Sequence, residues 1–482
     1  MHRSIIISLD CIGFCGVFIS DHNLSHRETF EKKVSRARET EVKSEMSLFL
    51  TNMKPMDELQ INTYLKRLWP ICRSLTGNGL RESLHILNEI IPLNLIEVPS
   101  GTQVFDWQIP DEWNIESAVL INPNGEVIAD LAVNNLHVVN YSIPVEGEFT
   151  YDQLKAHIYT LEEQPTVIPY ITSYYKRNWG FCLAHHVWNK QPKDGVYKVQ
   201  IKSSLEPGSL TYGECVLKGE SDEEILISTY VCHPSMANNE LSGPIVAAGL
   251  YSRLASLPKR RFTYRFLFAP ETIGVIAFLS KEGEQLKKKL HAGYVATTCG
   301  DRGPLTYKLS KRGDTAADRA AMHVLHFCDK PHAIIPFSVG GSDERQYCSP
   351  GFNLPVGSIM RTPYQRYKEY HTSGDNLDFI TAEHLLDTIK IYFDVIQALE
   401  MNRKYYNIVQ CGEPQMGKRG LYPDSSAPNI DRDYIHRLMH FLSYADGETD
   451  VLEIAAKRNE SIHLYQPIIE ACLKVSIIEA RD

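Results

Sequence analysis

Between residues 224 and 401 the chain alternates short apolar runs with helical stretches, and this alternation limits the fold more than any other feature. Residues 225–231, 262–268, 294–298, 333–337 and 354–359 read as strands, while 242–254, a stretch from Gly274, and 381–401 read as helices. Strands that are largely apolar along their whole length are covered on both faces. The intervening helices supply that cover, so the expected architecture is α/β, a mostly parallel sheet with helices on both faces. In such a sheet ligands collect outside the carboxyl ends of the strands. His233, Glu271, Asp301 and Asp343 all lie just past an apolar run, and His371 follows the fifth.

The flanks have different textures. Leu59, Ile61, Tyr64, Leu65 and Leu68 recur at helical spacing, residues 74–79 break the pattern, and Leu84, Ile86, Leu87 and Ile90 resume it, so a helical hairpin is expected. Residues 93–199 show short alternating strands punctuated by Pro110, Pro123, Pro144 and Pro165, with Trp107, Trp113 and Trp179 among them. These tryptophans are expected to pack a core, the rival role being to line a cleft. Helical runs at 435–442, 451–457 and 464–473, followed by a strand-like 475–478, suggest a winged-helix module. The resulting layout is a core of 55–102 and 200–411, a β-rich insert at 103–199, and a winged-helix-like domain at 412–482. Residues 1–54 read as an extension: the apolar run 4–20 is interrupted by Asp10 and followed by no small-residue cleavage site, so ordered structure is expected from about Pro55.

Charge and cysteine content narrow the partners. A formal charge of -9, and 12 acidic against 8 basic residues in 412–482, give no nucleic-acid footprint. The terminal module therefore reads as a packing or dimerisation unit, compatible with a homo-oligomer. The 11 cysteines form no Cys-x-x-Cys pair, which points to a reducing, cytoplasmic setting. No run is long enough to span a membrane.

Specific motifs carry a family resemblance. His233 followed by Ala237-Asn238-Asn239-Glu240-Leu241-Ser242-Gly243 resembles the His, then small-Asn-Asp-x-x-Ser-Gly, pattern of the zinc aminopeptidase superfamily, which includes glutaminyl cyclases. Pro270-Glu271-Thr272-Ile273-Gly274 resembles its Glu-Glu-x-Gly motif, and Gly341-Ser342-Asp343-Glu344 and Tyr370-His371-Thr372 resemble its late elements. From about Pro55 the whole chain resembles bacterial polysaccharide-biosynthesis proteins with an aminopeptidase-like domain, which carry a β-rich insert and a winged helix.

The resemblance implies roles. In active members two zinc ions share a carboxylate and hold a water between them, and a glutamate takes the proton of that water. His233 and His371 would be metal ligands, Asp301 would complete the first site, and Glu271 would be the general base. Asp343 is either a ligand or the N-cap of the following helix. Asp375 would fix a ring tautomer or a loop. Arg361, Tyr364 and Tyr367 would bind a substrate carboxylate or stabilise an oxyanion.

Two positions depart from the pattern: Asn239 stands at the bridging carboxylate and Thr272 at the second glutamate. With two anionic donors missing, one zinc is expected rather than two. Three arrangements stay open: one metal on His233, His371 and an acid; a site in which Glu240 replaces the missing aspartate; and a pocket without metal. The expected activity is metal-dependent hydrolysis of an amide in a peptide or aminoacyl-sugar. The alternatives are an inactive binding or scaffold protein and a glutaminyl-cyclase-like acyltransferase.

Overall fold

The computed structural model describes residues 54–422 and 432–481, and the extension expected at 1–54 lies, but for its last residue, outside them. Eight strands form the central sheet: β1 (Asn94–Pro99), β2 (Ser209–Leu217), β3 (Glu224–Tyr230), β4 (Thr263–Ala269), β5 (Leu290–Ala296), β6 (Leu305–Lys308), β7 (His332–Ile335) and β8 (Val356–Met360). Their spatial order is β1-β2-β4-β3-β5-β8-β6-β7. The centre is parallel, Ile227 lying opposite Phe266 on one side and Tyr294 on the other. Antiparallel pairings join β1 to β2, β2 to β4 and β8 to β6. The strands expected from their apolar content are present. The short β6 and the helix α5 (Ala316–Phe327) between β6 and β7 are elements the periodicity did not mark.

Both faces are covered, as full-length apolar strands require. On one face lie α3 (Ser242–Ala255) and α7 (Ala382–Met401); Tyr392 of α7 donates from its hydroxyl to the carbonyls of Val295 and Ile359. Helix α3 is buried almost all round because α7 packs outside it. Gly249 makes that crossing close: a Cβ there would stand 2.4 Å from Ile389 Cδ1. On the other face α4 (Ile273–Lys289) packs with Leu226, Val295 and Val356, and Tyr347 of the short α6 (Glu344–Tyr347) donates to Ser228 Oγ at 2.8 Å. The hairpin α1 (Glu58–Leu68) and α2 (Asn78–Leu87) leads into β1, with Asp57 capping α1.

Between β1 and β2 the chain builds a separate antiparallel sheet, ordered Val127–Asp130, Glu112–Ile121, Val196–Glu206, Val145–Thr150. Trp179 and Trp188 fill its core with Phe181 and Tyr197. Trp113 is likewise buried, whereas Trp107 is 39% exposed and takes the cleft-lining role instead. At the end of the chain three helices, Arg432–Tyr444, Val451–Ala456 and Gln466–Lys474, pack with an antiparallel sheet of Lys404–Asn407, Asp446–Asp450 and Ile478–Arg481. This is a winged-helix arrangement, and Arg319 of α5 is bonded to Asp450 within it. No helix among the described residues is long and apolar enough to cross a membrane.

Candidate functional site

The carboxyl ends of β3 and β4 set up the site. Past β3, Val231 and Cys232 carry the chain to His233, and a widened turn over Ala237–Leu241 leads into α3. Past β4, Pro270 has no N–H for the ladder, and Thr272 takes φ 64°, turning the chain into α4. A β-branched residue rarely adopts that conformation. Gly274 lets the turn close, since a Cβ there would stand 2.6 Å from the Pro270 ring. Ser235 and His371 also adopt positive φ, 45° and 55°, so three of the turns that present the site store backbone strain.

These turns bring His233, His371 and Glu271 together although 138 residues separate the two histidines in sequence (371 minus 233). The imidazole centroids are 5.5 Å apart, and His233 Nε2 is 3.6 Å from Glu271 Oε2. Two rings on one tetrahedral zinc, each nitrogen about 2.0 Å from the ion, have centroids roughly 5 Å apart, close to this spacing, but the donor atoms of His233, His371 and Glu271 do not all lie within 4.8 Å of one another, so a shared ion would draw the side chains together. Burial holds both imidazoles neutral, lowering each from 6.5 to about 3, with Arg73 adding to the effect at His233 and His233 itself at His371. Neutral imidazole is the form that ligates metal.

Glu240 orients His233. Its Oε2 is 2.8 Å from Nδ1, its other oxygen accepts the Cys232 N–H, and it is fully buried, which raises it to about 8. A cation at Nε2 needs the proton on Nδ1, and Glu240 is placed to accept it. Cys232, His233 and Glu240 are the trio among the described residues whose donor atoms all lie within 4.8 Å of one another. Hydrogen bonds about Nδ1 account for that proximity, and burial raises the Cys232 thiol, keeping it from acting as a thiolate ligand. The trio therefore positions the ring and leaves Nε2 toward Glu271, and His233 and Glu271 both line the cavity.

The other expected residues divide. Asp343 stands at the N-cap position of α6, but its side chain makes no capping bond there; it accepts the Thr272 N–H at 2.7 Å, and its second oxygen is buried without a hydrogen-bond partner among the described residues. Burial, then the charge of Glu271, raises it well above an ordinary carboxyl, and burial raises Glu271 to about 7. Asn239 is buried nearby with its amide nitrogen unpartnered. Asp301 is held elsewhere, accepting from Asn238 Nδ2, the Gly303 N–H and Thr362 Oγ1, so its oxygens are committed to fixing loops. Arg361 is not brought to the histidines: its guanidinium bonds Thr388, the Gly303 carbonyl and Asp387 of α7. Tyr364 is bonded to buried Lys308 and Glu344, with no free hydroxyl for an oxyanion. Asp375 holds a loop, accepting the backbone N–H groups of Ala237, Asn238 and Asn239.

A cavity of about 300 Å³ opens onto the site, with His233, Glu271 and Arg345 facing Leu75, Trp107 and Tyr175. Several of these groups escaped the sequence reading. Tyr170 lies 5.1 Å from the His233 ring and 5.2 Å from the His371 ring, and its N–H donates to the His371 carbonyl at 2.9 Å. Arg73, fully buried, donates from Nε to the His233 carbonyl. Arg345, two residues past Asp343, donates to Thr272 Oγ1 and lowers Glu271 electrostatically. The only sequence signal for it was its adjacency to the Ser-Asp motif.

A sheet with a parallel centre, followed past its strand ends by two neutral imidazoles and a partly buried glutamate beside a cavity, defines an aminopeptidase-like α/β protein. In sequence the chain belongs to the family described as a domain of unknown function, DUF4910, matched over residues 62–402, and residues 403–480 match a winged helix-turn-helix. A Clostridium acetobutylicum protein, provisionally named a polysaccharide biosynthesis protein with aminopeptidase-like domain, is 44% identical over 420 residues, 87% of this chain and 96% of its own. A crystal structure of a protein from the same organism, provisionally described as a peptidase, superposes with a TM-score of 0.82 at 43% identity, over 87% of this chain and 96% of that one. The peptidase M28 precursor of Shewanella amazonensis shares the fold, with a TM-score of 0.50 and 13% identity over 75% and 96% of the two chains.

Proposed function

We propose that this chain is a metal-dependent amide hydrolase of the aminopeptidase type, holding one zinc ion and acting on a peptide or aminoacyl-modified substrate. The observation that carries the reading is that the His233 and His371 rings lie 5.5 Å apart with Glu271 Oε2 3.6 Å from His233 Nε2, beside a cavity that His233 and Glu271 line. The two imidazoles are the donors and suit one ion, which leaves Glu271 to act on water. Asn239 and Thr272 supply no charge where a second would need it, and Asp301 is consumed by its loop contacts. Bound there, zinc lowers the pKa of a coordinated water to about 7.

The protein's own groups do the rest. Glu271, lifted to about 7, is matched to taking a proton from water near neutrality and returning it to the leaving amine. Glu240 keeps the His233 ring in place, and the Tyr170 and Tyr370 rings pack against His371, the latter stacked at 3.9 Å. The aromatic wall and narrow cavity limit water around the scissile amide. The name of the Clostridium relative supports a substrate drawn from polysaccharide biosynthesis, where amino-acid or acyl amides of sugars are the matching chemistry.

Metal addition tests the reading. Zinc in hundredfold excess over its Kd stabilises the folded chain by about 2.7 kcal/mol. A rise in Tm on adding zinc to the native chain, lost in His371→Ala, is the expected result. No bound divalent ion and an unmoved Tm would refute a metal hydrolase.

A further inference from the structure

Arg345 brings a guanidinium to the cavity wall and uses little of its bonding capacity there. Its Nη2 donates to Thr272 Oγ1 at 2.9 Å, Nε is buried without a partner, and no described carboxylate forms an ion pair with it within 4.0 Å. The planar fork of an arginine matches a carboxylate with two parallel hydrogen bonds. Thr272 occupies the position where the aminopeptidase pattern has its second glutamate, and its hydroxyl anchors Arg345. One corner of the site has thereby exchanged a negative charge for a positive one. In the same cavity Trp107 and Tyr175 meet edge to face at 5.5 Å and remain 39% and 54% exposed, an aromatic wall without a covering group.

We propose that Arg345 is the specificity-determining residue of this cavity, gripping a carboxylate on a substrate whose ring-bearing portion rests against Trp107 and Tyr175. The inference rests on the hydrolase reading for the bond that is cut and names the class that bears it: an amide next to a free carboxylate. Two sources offer that chemistry, the carboxyl end of a short peptide and an acidic sugar. A carboxylate would meet the part of the guanidinium that its bond to Thr272 leaves open, where a neutral substrate brings no charge.

Binding of probes that contain no amide tests this without turnover. On the full chain, phenylpropionate is compared with phenylpropanol for the peptide source, and glucuronate with glucose for the sugar source, by calorimetry. The expected result is at least tenfold tighter binding of the acid than of its neutral twin in one arm, which identifies the source. Arg345→Gln abolishes the ratio, and Arg345→Lys, which keeps the charge but not the fork, retains part of it. Equal binding of acid and neutral probe in both arms overturns the proposal, and so does a ratio that survives in Arg345→Gln. Should the glutamine variant fail to fold, the wild-type ratio and the lysine variant decide in the same way. A chain that discriminates by charge but hydrolyses no amide refutes the hydrolase reading alone, and a hydrolase indifferent to the carboxylate refutes this one alone.

Discussion

The two ends of the central sheet handle charge in opposite ways. Near the amino ends of β3 and β4, Arg265 bonds Glu224 through Nε at 2.6 Å and Nη2 at 3.0 Å and reaches Glu214 through Nη1, so each buried charge has a partner. At the carboxyl ends of the same two strands, buried Asp343 and Glu271, whose side chain is 25% exposed, have no lysine or arginine within 4.0 Å among the described residues, and both are raised above the ordinary carboxyl range. The same residue types in the same sheet thus carry compensated charge at one end and uncompensated charge at the other. Compensation of charge separates the two.

Breaking each end should expose this difference. The largest effect is expected from Glu271→Gln, which removes the proposed base and should lower the rate of amide hydrolysis by about 10²–10⁴-fold. Its Tm should hold or rise, because a poorly compensated acid has gone; initial rates and thermal melts on one preparation measure both. Arg265→Ala should do the reverse, leaving Glu224 and Glu214 unpaired and costing about 3–5 kcal/mol in urea unfolding, with the rate per folded molecule unchanged. A rate loss in Arg265→Ala without a stability loss would remove the contrast.

The smallest effect is the pH dependence of stability. Glu271 releases its proton near 4.5 when unfolded and near about 7 when folded, so between these values the folded chain holds more protons. Its contribution to stability is therefore full below 4.5 and is lost as the pH rises through about 7. His233 and His371 act oppositely: folded values of about 3 against 6.5 leave the unfolded chain more protonated, so their burial costs stability as the pH falls from 6.5 toward about 3. Removing Glu271 takes away one of the acids that oppose the histidine trend, Glu240 and Asp343 remaining. Unfolding free energies of Glu271→Gln should then rise more steeply with pH over 4.5 to 6.5 than those of the wild type.

Much of the fold was legible because burial on both faces writes a continuous apolar run, as in β3 and β4. Strand β6 escaped because it is four residues long and ends in Lys308, whose charge is hidden only by Glu344 from another element. Helix α5 could have been found from its Thr315–Asp318 capping box. In the site, His233, Glu271 and His371 were legible by their place after strands. Arg361 and Asp301 misled because their partners, Asp387 and Thr362, lie 26 and 61 residues away.

The sequence by itself determined which residues stand past each strand end, since apolar content and turn chemistry are local properties. The tertiary structure alone decided which of those side chains share a cavity and which are consumed by distant hydrogen bonds. It also placed Tyr170 against the two histidines and Arg345 beside Glu271. The physical reason is that proximity across a sheet, and the burial that shifts protonation, depend on chain crossings that no local pattern encodes.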